Sequence, residues 1–104
     1  MSLSTNYPVY QAFMTLLANE SDAVFLAKLF DAMLTDKEQA EIAKRLQIFA
    51  LLQQGLPQRE IAERLCVGIA TVSRGAKAYQ VNQVANLLPN LQAVLANHLP
   101  KTSG

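Results

Sequence analysis

The sequence predicts an all-α fold, and two observations lead there. Only four glycines and four prolines interrupt the 104 residues, and the β-branched residues are scattered among Ala, Leu, Gln and Glu rather than gathered into strand-like runs. Hydrophobic residues make up 51% of the chain, which demands a buried core and excludes a disordered polar tail as its main content. A chain of this length is expected to form a single domain over residues 1–104.

The first helix is expected from Tyr7 or Pro8 to Ala18, with Phe13, Leu16 and Leu17 as its apolar side. "NESD" interrupts it, and Ser21 can cap a second helix over Val24 to Leu34, where Phe25, Leu26, Leu29, Phe30 and Met33 cover more than one narrow stripe. Thr35 caps again, with Glu38 three residues later completing a capping box. The third helix then runs to about Gln54 and stops at Gly55, with Pro57 beyond. Ile42, Leu46, Phe49 and Leu52 form one stripe on it, Ile48 and Leu51 a second. These apolar faces exceed what one chain can cover, so an obligate homodimer is expected, with dimerisation helices at about 7–54 and 89–99.

From Gln58 the pattern shortens. "QREIAERL", residues 58–65, makes two turns with Ile61 and Leu65 on one face and Ala62 beside them. A break at Cys66, Val67 and Gly68 precedes a second short helix from Ile69 to about Tyr79, with Val72 inward. Two short helices with a small residue at their crossing and apolar residues flanking it fit a helix-turn-helix over about 58–79. Cys66 stands where many such turns carry glycine, and Gly68 is expected to supply the permissive backbone instead. "NLLPNLQAVLANHL" predicts a last helix starting near Pro89, with Leu91, Val94, Leu95 and Leu99 packing onto the dimer.

Formal net charge is only +1, but its distribution is uneven. Lys28, Lys37, Lys44 and Arg45 face six acids over residues 1–57, whereas Arg59, Arg64, Arg74 and Lys77 face only Glu60 and Glu63 over residues 58–79. A helix that enters a DNA major groove needs a slim N-terminal half, which Gly68, Ala70, Thr71 and Ser73 provide, and cations such as Arg74 and Lys77 for phosphate or guanine. The competing reading is a small helical hairpin whose surface happens to be basic, a dimerisation or interaction module without DNA function.

Other chemistry is poorly served. His98 has no Cys or carboxylate at ligand spacing, so no metal site is expected. Cys66, the one cysteine, sits between Leu65 and Val67 and reads as a packing residue; Asp36 and Glu38 read as charges at a helix start rather than a catalytic pair. No enzyme is expected. A lone cysteine, the lack of a secretory signal and apolar stretches well short of the roughly 20 residues that span a bilayer point to a cytoplasmic protein away from membranes.

"QREIAERL", "GIAT" and "SRG", preceded by "MLT" and by Arg45, resemble the tryptophan repressor family over about residues 25–79. The resemblance implies an intertwined homodimer with six helices per chain and a repressor that binds double-stranded operator DNA with L-tryptophan as corepressor, no other cofactor being called for. It puts base and phosphate contacts on Gln58, Arg59, Gly68, Ile69, Ala70, Thr71 and Ser73, beside the cation Arg74, while a lysine frequent in the family is Ala62 here. It also implies an indole sandwiched between Arg45 and Arg74, with Thr35 and Gly75 at the pocket. A serine that meets the ligand's ammonium group in the family falls on Ala78. That ammonium is then expected on carbonyls at the negative end of the second helix, near Ala32 and Leu34. A relative with another ligand or none stays open beside this.

Overall fold

The computed structural model describes residues 7–100, and among these every regular element is helical. Seven α-helices occur: α1 (Tyr7–Ala18), α2 (Ala23–Met33), α3 (Asp36–Gln53), α4 (Gln58–Leu65), α5 (Ile69–Val81), α6 (Val84–Leu87) and α7 (Leu91–Val94). A single 3-10 turn, Ala96–His98, follows. The chain divides into two compact units, one up to Glu38 and one from Gln39 onward.

In the first unit, α1 begins and ends where the apolar spacing predicts. The cap of α2 falls one residue later than expected: Asp22, not Ser21, adopts extended backbone and accepts the Val24 N–H at 2.9 Å. Leu34 is extended, which ends α2 at Met33. Thr35 and Glu38 form the expected capping box, the Thr35 N–H donating to Glu38 Oε1 at 2.8 Å and the Glu38 N–H to Thr35 Oγ1 at 3.1 Å. Phe13 and Phe30 meet edge to face, ring centres 6.1 Å apart. Neither α1 nor α2 holds a buried residue, and Val9, Tyr10, Leu16, Val24, Phe25 and Met33 stay exposed.

The core lies in the second unit. Ile48, Leu51, Ile61, Ala62, Leu65 and Val72 form it, with Leu52, Leu56, Val67 and Leu99 packed around. Of the two stripes on α3, the Ile48 and Leu51 stripe is therefore the buried one; Ile42, on the other, keeps 47% of its surface open. Burying a side chain such as Ile48 or Leu51 stabilises by about 1.5–3 kcal/mol.

Both α3 and α4 end on left-handed backbone. Gly55 (φ 87°) ends α3, its N–H bonding Leu52 O and the next N–H, of Leu56, reaching back to Leu51 O at 3.2 Å. The same pattern closes α4: Cys66 (φ 56°) donates to Glu63 O and Val67 to Ala62 O. The permissive conformation thus falls on Cys66 itself, whereas Gly68, expected to supply it, is an ordinary extended N-cap of α5 at φ −68°. At Gly75 the missing side chain is needed, since a Cβ there would lie 2.9 Å from Cγ2 of Ile48; glycine lets α5 sit against α3.

The C-terminal region corrects the six-helix expectation. Gln83 is left-handed (φ 51°), and the extra helix α6 starts directly after it. The stretch predicted as one helix from Pro89 breaks into α7 and the 3-10 turn, because α3 side chains hold its backbone in place. Gln53 donates through Nε2 to Leu88 O and accepts the Gln92 N–H at Oε1, both at 2.9 Å, and Gln47 Nε2 donates to His98 O at 2.9 Å. Leu91 and Leu99 face inward as expected, but Val94 is 71% exposed. No helix among the described residues is long and apolar enough to cross a membrane.

Candidate nucleic-acid interface and ligand cleft

The helix-turn-helix is built from its buried side outward. Ile61, Ala62 and Leu65 on α4 and Val72, Gly75 and Ala76 on α5 point inward, which fixes the opposite faces. Gln58, Arg59, Gly68, Ile69, Ala70, Ser73 and Arg74 are all exposed there, and Thr71 is half-buried. Ser73 Oγ donates to Gln58 Oε1 at 2.8 Å, tying the first residue of α4 to the exposed face of α5. A Cβ on Gly68 would meet no protein atom within 4 Å. Nothing inside the protein requires glycine there, and the space over the start of α5 is free for another molecule's backbone.

The cations divide by partner. Arg64 pairs with Glu60, and Lys44 Nζ donates to Leu65 O at 3.5 Å, at the negative end of α4. Arg59 makes no ion pair among the described residues.

Behind α5 lies a cleft of about 380 Å³, lined by Glu41, Lys44, Arg45 and Ile48 from α3 and by Thr71 and Arg74 from α5. That volume lies within the range of small-molecule sites. The Arg45 guanidinium lies 6.0 Å from the centre of the Phe49 ring, which in turn sits 5.8 Å from Tyr79 of α5. Arg74 approaches the Thr71 hydroxyl at 3.4 Å. The two arginines expected to sandwich a flat ligand therefore line one cavity.

Gly75 and Ala78, also expected at the ligand, are not part of this lining. Gly75 faces Ile48. Ala78 lines a neighbouring open depression with Arg74, Lys77, Val81 and Asn82. Ala32, Leu34 and Thr35 belong to the first unit, where Leu34 donates its N–H to Phe30 O at 2.9 Å and Thr35 serves the capping box. That box holds the Glu38 carboxyl below the usual glutamate range, first through the Thr35 N–H and then through its hydroxyl. Sequence reasoning missed Glu41, Lys44 and Ile48 as cleft residues. The signal was present: positions 41, 44, 45 and 48 share one helical face. No group of side chains suited to a metal ion occurs among the described residues.

Comparison with known proteins adds an independent finding. The family described as Trp repressor protein matches residues 9–98. A Trp operon repressor homolog of Chlamydia trachomatis serovar D is 43% identical over 70 residues, 66% of this chain and 74% of the relative. One from Aliivibrio fischeri is 38% identical over 77 residues, covering 73% and 71%. One from Pasteurella multocida is 31% identical over 100 residues, covering 95% and 93%. No solved structure matches significantly.

Proposed function

Because the chain belongs to the Trp repressor protein family, we propose that it is a DNA-binding transcriptional repressor with L-tryptophan as its corepressor, held in the cleft between α3 and α5. The observation that carries this reading is the convergence of Arg45 and Arg74 on one cleft directly behind the exposed start of α5. Each guanidinium offers an indole a flat cationic face, worth about 0.5–2 kcal/mol depending on how dry the site is, and Arg74 can also pair with a carboxylate.

The same helix serves both partners. Thr71 and Arg74 line the cleft, while Gly68, Ile69, Ala70 and Ser73 present the DNA face together with Gln58 and Arg59 of α4. A ligand wedged between Arg45 and Arg74 therefore sets the angle at which α5 meets a major groove. By linkage, operator DNA must raise ligand affinity by the factor through which ligand raises DNA affinity, typically 1–3 kcal/mol.

The assembly we assign is a homodimer, supported by the uncovered apolar side chains of α1 and α2. Two copies of α5 about one DNA turn apart, roughly 34 Å, then call for a near-palindromic operator; that spacing is general to helix-turn-helix dimers, Trp repressors included. We place this regulator, which is no enzyme, in a reducing cytoplasm.

Calorimetry with L-tryptophan, paired with operator binding at several salt concentrations, tests the reading. Heat of binding, tighter DNA binding with ligand, and log affinity falling linearly with log salt are expected. No heat at millimolar L-tryptophan together with unchanged operator affinity overturns the corepressor role, and salt-independent association with DNA leaves only a helical interaction module.

A further inference from the structure

A hydrogen bond crosses the exposed face of the helix-turn-helix from one helix to the other. The Ser73 hydroxyl on α5 donates to Gln58 Oε1 on α4 at 2.8 Å, and both residues are exposed. Their backbones are fixed from behind, since Ile61 of α4 and Val72 of α5 are fully buried in one core. The Gln58 side chain is not spent on the helix start, because α4 begins without a side-chain cap.

This bond decides which way the amide faces. A glutamine amide carries an acceptor oxygen and a donor nitrogen on one carbon, and a half-turn about its last bond exchanges them. With Oε1 held by the Ser73 proton, Nε2 keeps both hydrogens, and it has no hydrogen-bond partner among the described residues. Phosphate oxygens, purine N7 and guanine O6 only accept. A reversed amide would set Oε1 against them with no proton between.

Resting on the DNA-binding reading above, we propose that Ser73 is a positioning residue: its hydroxyl locks the Gln58 amide in the donor orientation, so that Nε2 bonds an acceptor on DNA, either a phosphate oxygen or a purine N7 or guanine O6. Ser73 thereby acts through Gln58, and the two helices contribute one reading unit.

A double-mutant cycle on the full chain tests this. Wild type, Ser73→Ala, Gln58→Ala and the double variant are each titrated, with L-tryptophan present, against the duplex that wild type selects from a randomised pool. Both residues are exposed and alanine has the higher helix propensity, so the variants keep their fold, verified by circular-dichroism melts. Gln58→Ala is expected to weaken binding about tenfold and Ser73→Ala about fivefold, the scale of immobilising one long side chain on binding. The double variant is expected to bind no more weakly than Gln58→Ala alone, a coupling that a merely structural serine does not produce. A Gln58→Ala loss confined to one purine of the duplex identifies N7 or O6 as the acceptor, and a loss uniform across sequences identifies a phosphate oxygen; either meets the proposal. Losses that multiply in the double variant, or a Ser73→Ala that binds as wild type does, overturn the positioning role while leaving DNA binding standing. Wild type that selects no duplex overturns both.

Discussion

Cys66 occupies backbone that glycine favours, at φ 56°, and its thiol is exposed. Left-handed backbone costs a residue with a Cβ about 1–2 kcal/mol, part of which glycine returns through its greater freedom when unfolded. Cys66→Gly is therefore expected to raise unfolding stability by about 0.5–1 kcal/mol in a urea titration; an unchanged or lower midpoint would refute the strain. At Gly75 the opposite holds, because an added methyl meets Ile48 at 2.9 Å. Gly75→Ala is expected to cost about 1–3 kcal/mol and to weaken L-tryptophan binding, since Ile48 also lines the cleft. Arg59 makes no ion pair among the described residues, so Arg59→Ala is expected to weaken operator binding without moving the melting temperature. Loss at one operator position marks base readout; uniform loss with a shallower salt slope marks a phosphate contact. Residues whose role is local, such as Thr35, Glu38 and Gly55, were legible in the sequence because a cap or a stop is decided within a few neighbours. The role of Gly75 was not, because it depends on Ile48, far away along the chain.

At the scale of elements, the capping box at the start of α3 gives stability a pH dependence. Glu38 is held below the usual glutamate range in the folded chain. A depressed carboxyl contributes stability that is fully present above its unfolded pKa and is lost as pH falls through the folded value. Glu38→Gln is thus expected to melt lower than wild type near neutrality, with the gap closing in acid below the ordinary glutamate value; a gap independent of pH would exclude the charge as the cause. The boundaries of α1 and α4 followed from periodicity and breakers alone. The C-terminal segment did not, since what divides it is the Gln53 side chain, a non-local partner that no spacing rule reveals. Removing it with Gln53→Ala breaks two backbone contacts and is expected to lower stability by about 1–2 kcal/mol and speed amide exchange at Gln92.

For the whole molecule, the excess of apolar surface is the feature the sequence announced most clearly. Side chains on α1 and α2 remain uncovered in a single chain, as do Ile42 on α3 and Val94 on α7. Sedimentation at micromolar concentration is expected to show a dimer, and a folded monomer would sink the paired-subunit reading. The helix-turn-helix was readable for the same reason as the caps, its pattern being confined to about 22 residues from 58 to 79. The cleft was readable only in part, because its α3 wall and its α5 wall come together through packing. That shared wall has an evolutionary consequence on the proposed function. Thr71 and Arg74 border the cleft from the helix that presents the DNA face, so a substitution at either alters ligand choice and operator choice at once. Lineages that acquire a new effector while keeping their old operators are left with the opposite wall, where Glu41, Lys44 and Arg45 can vary without touching the reading head.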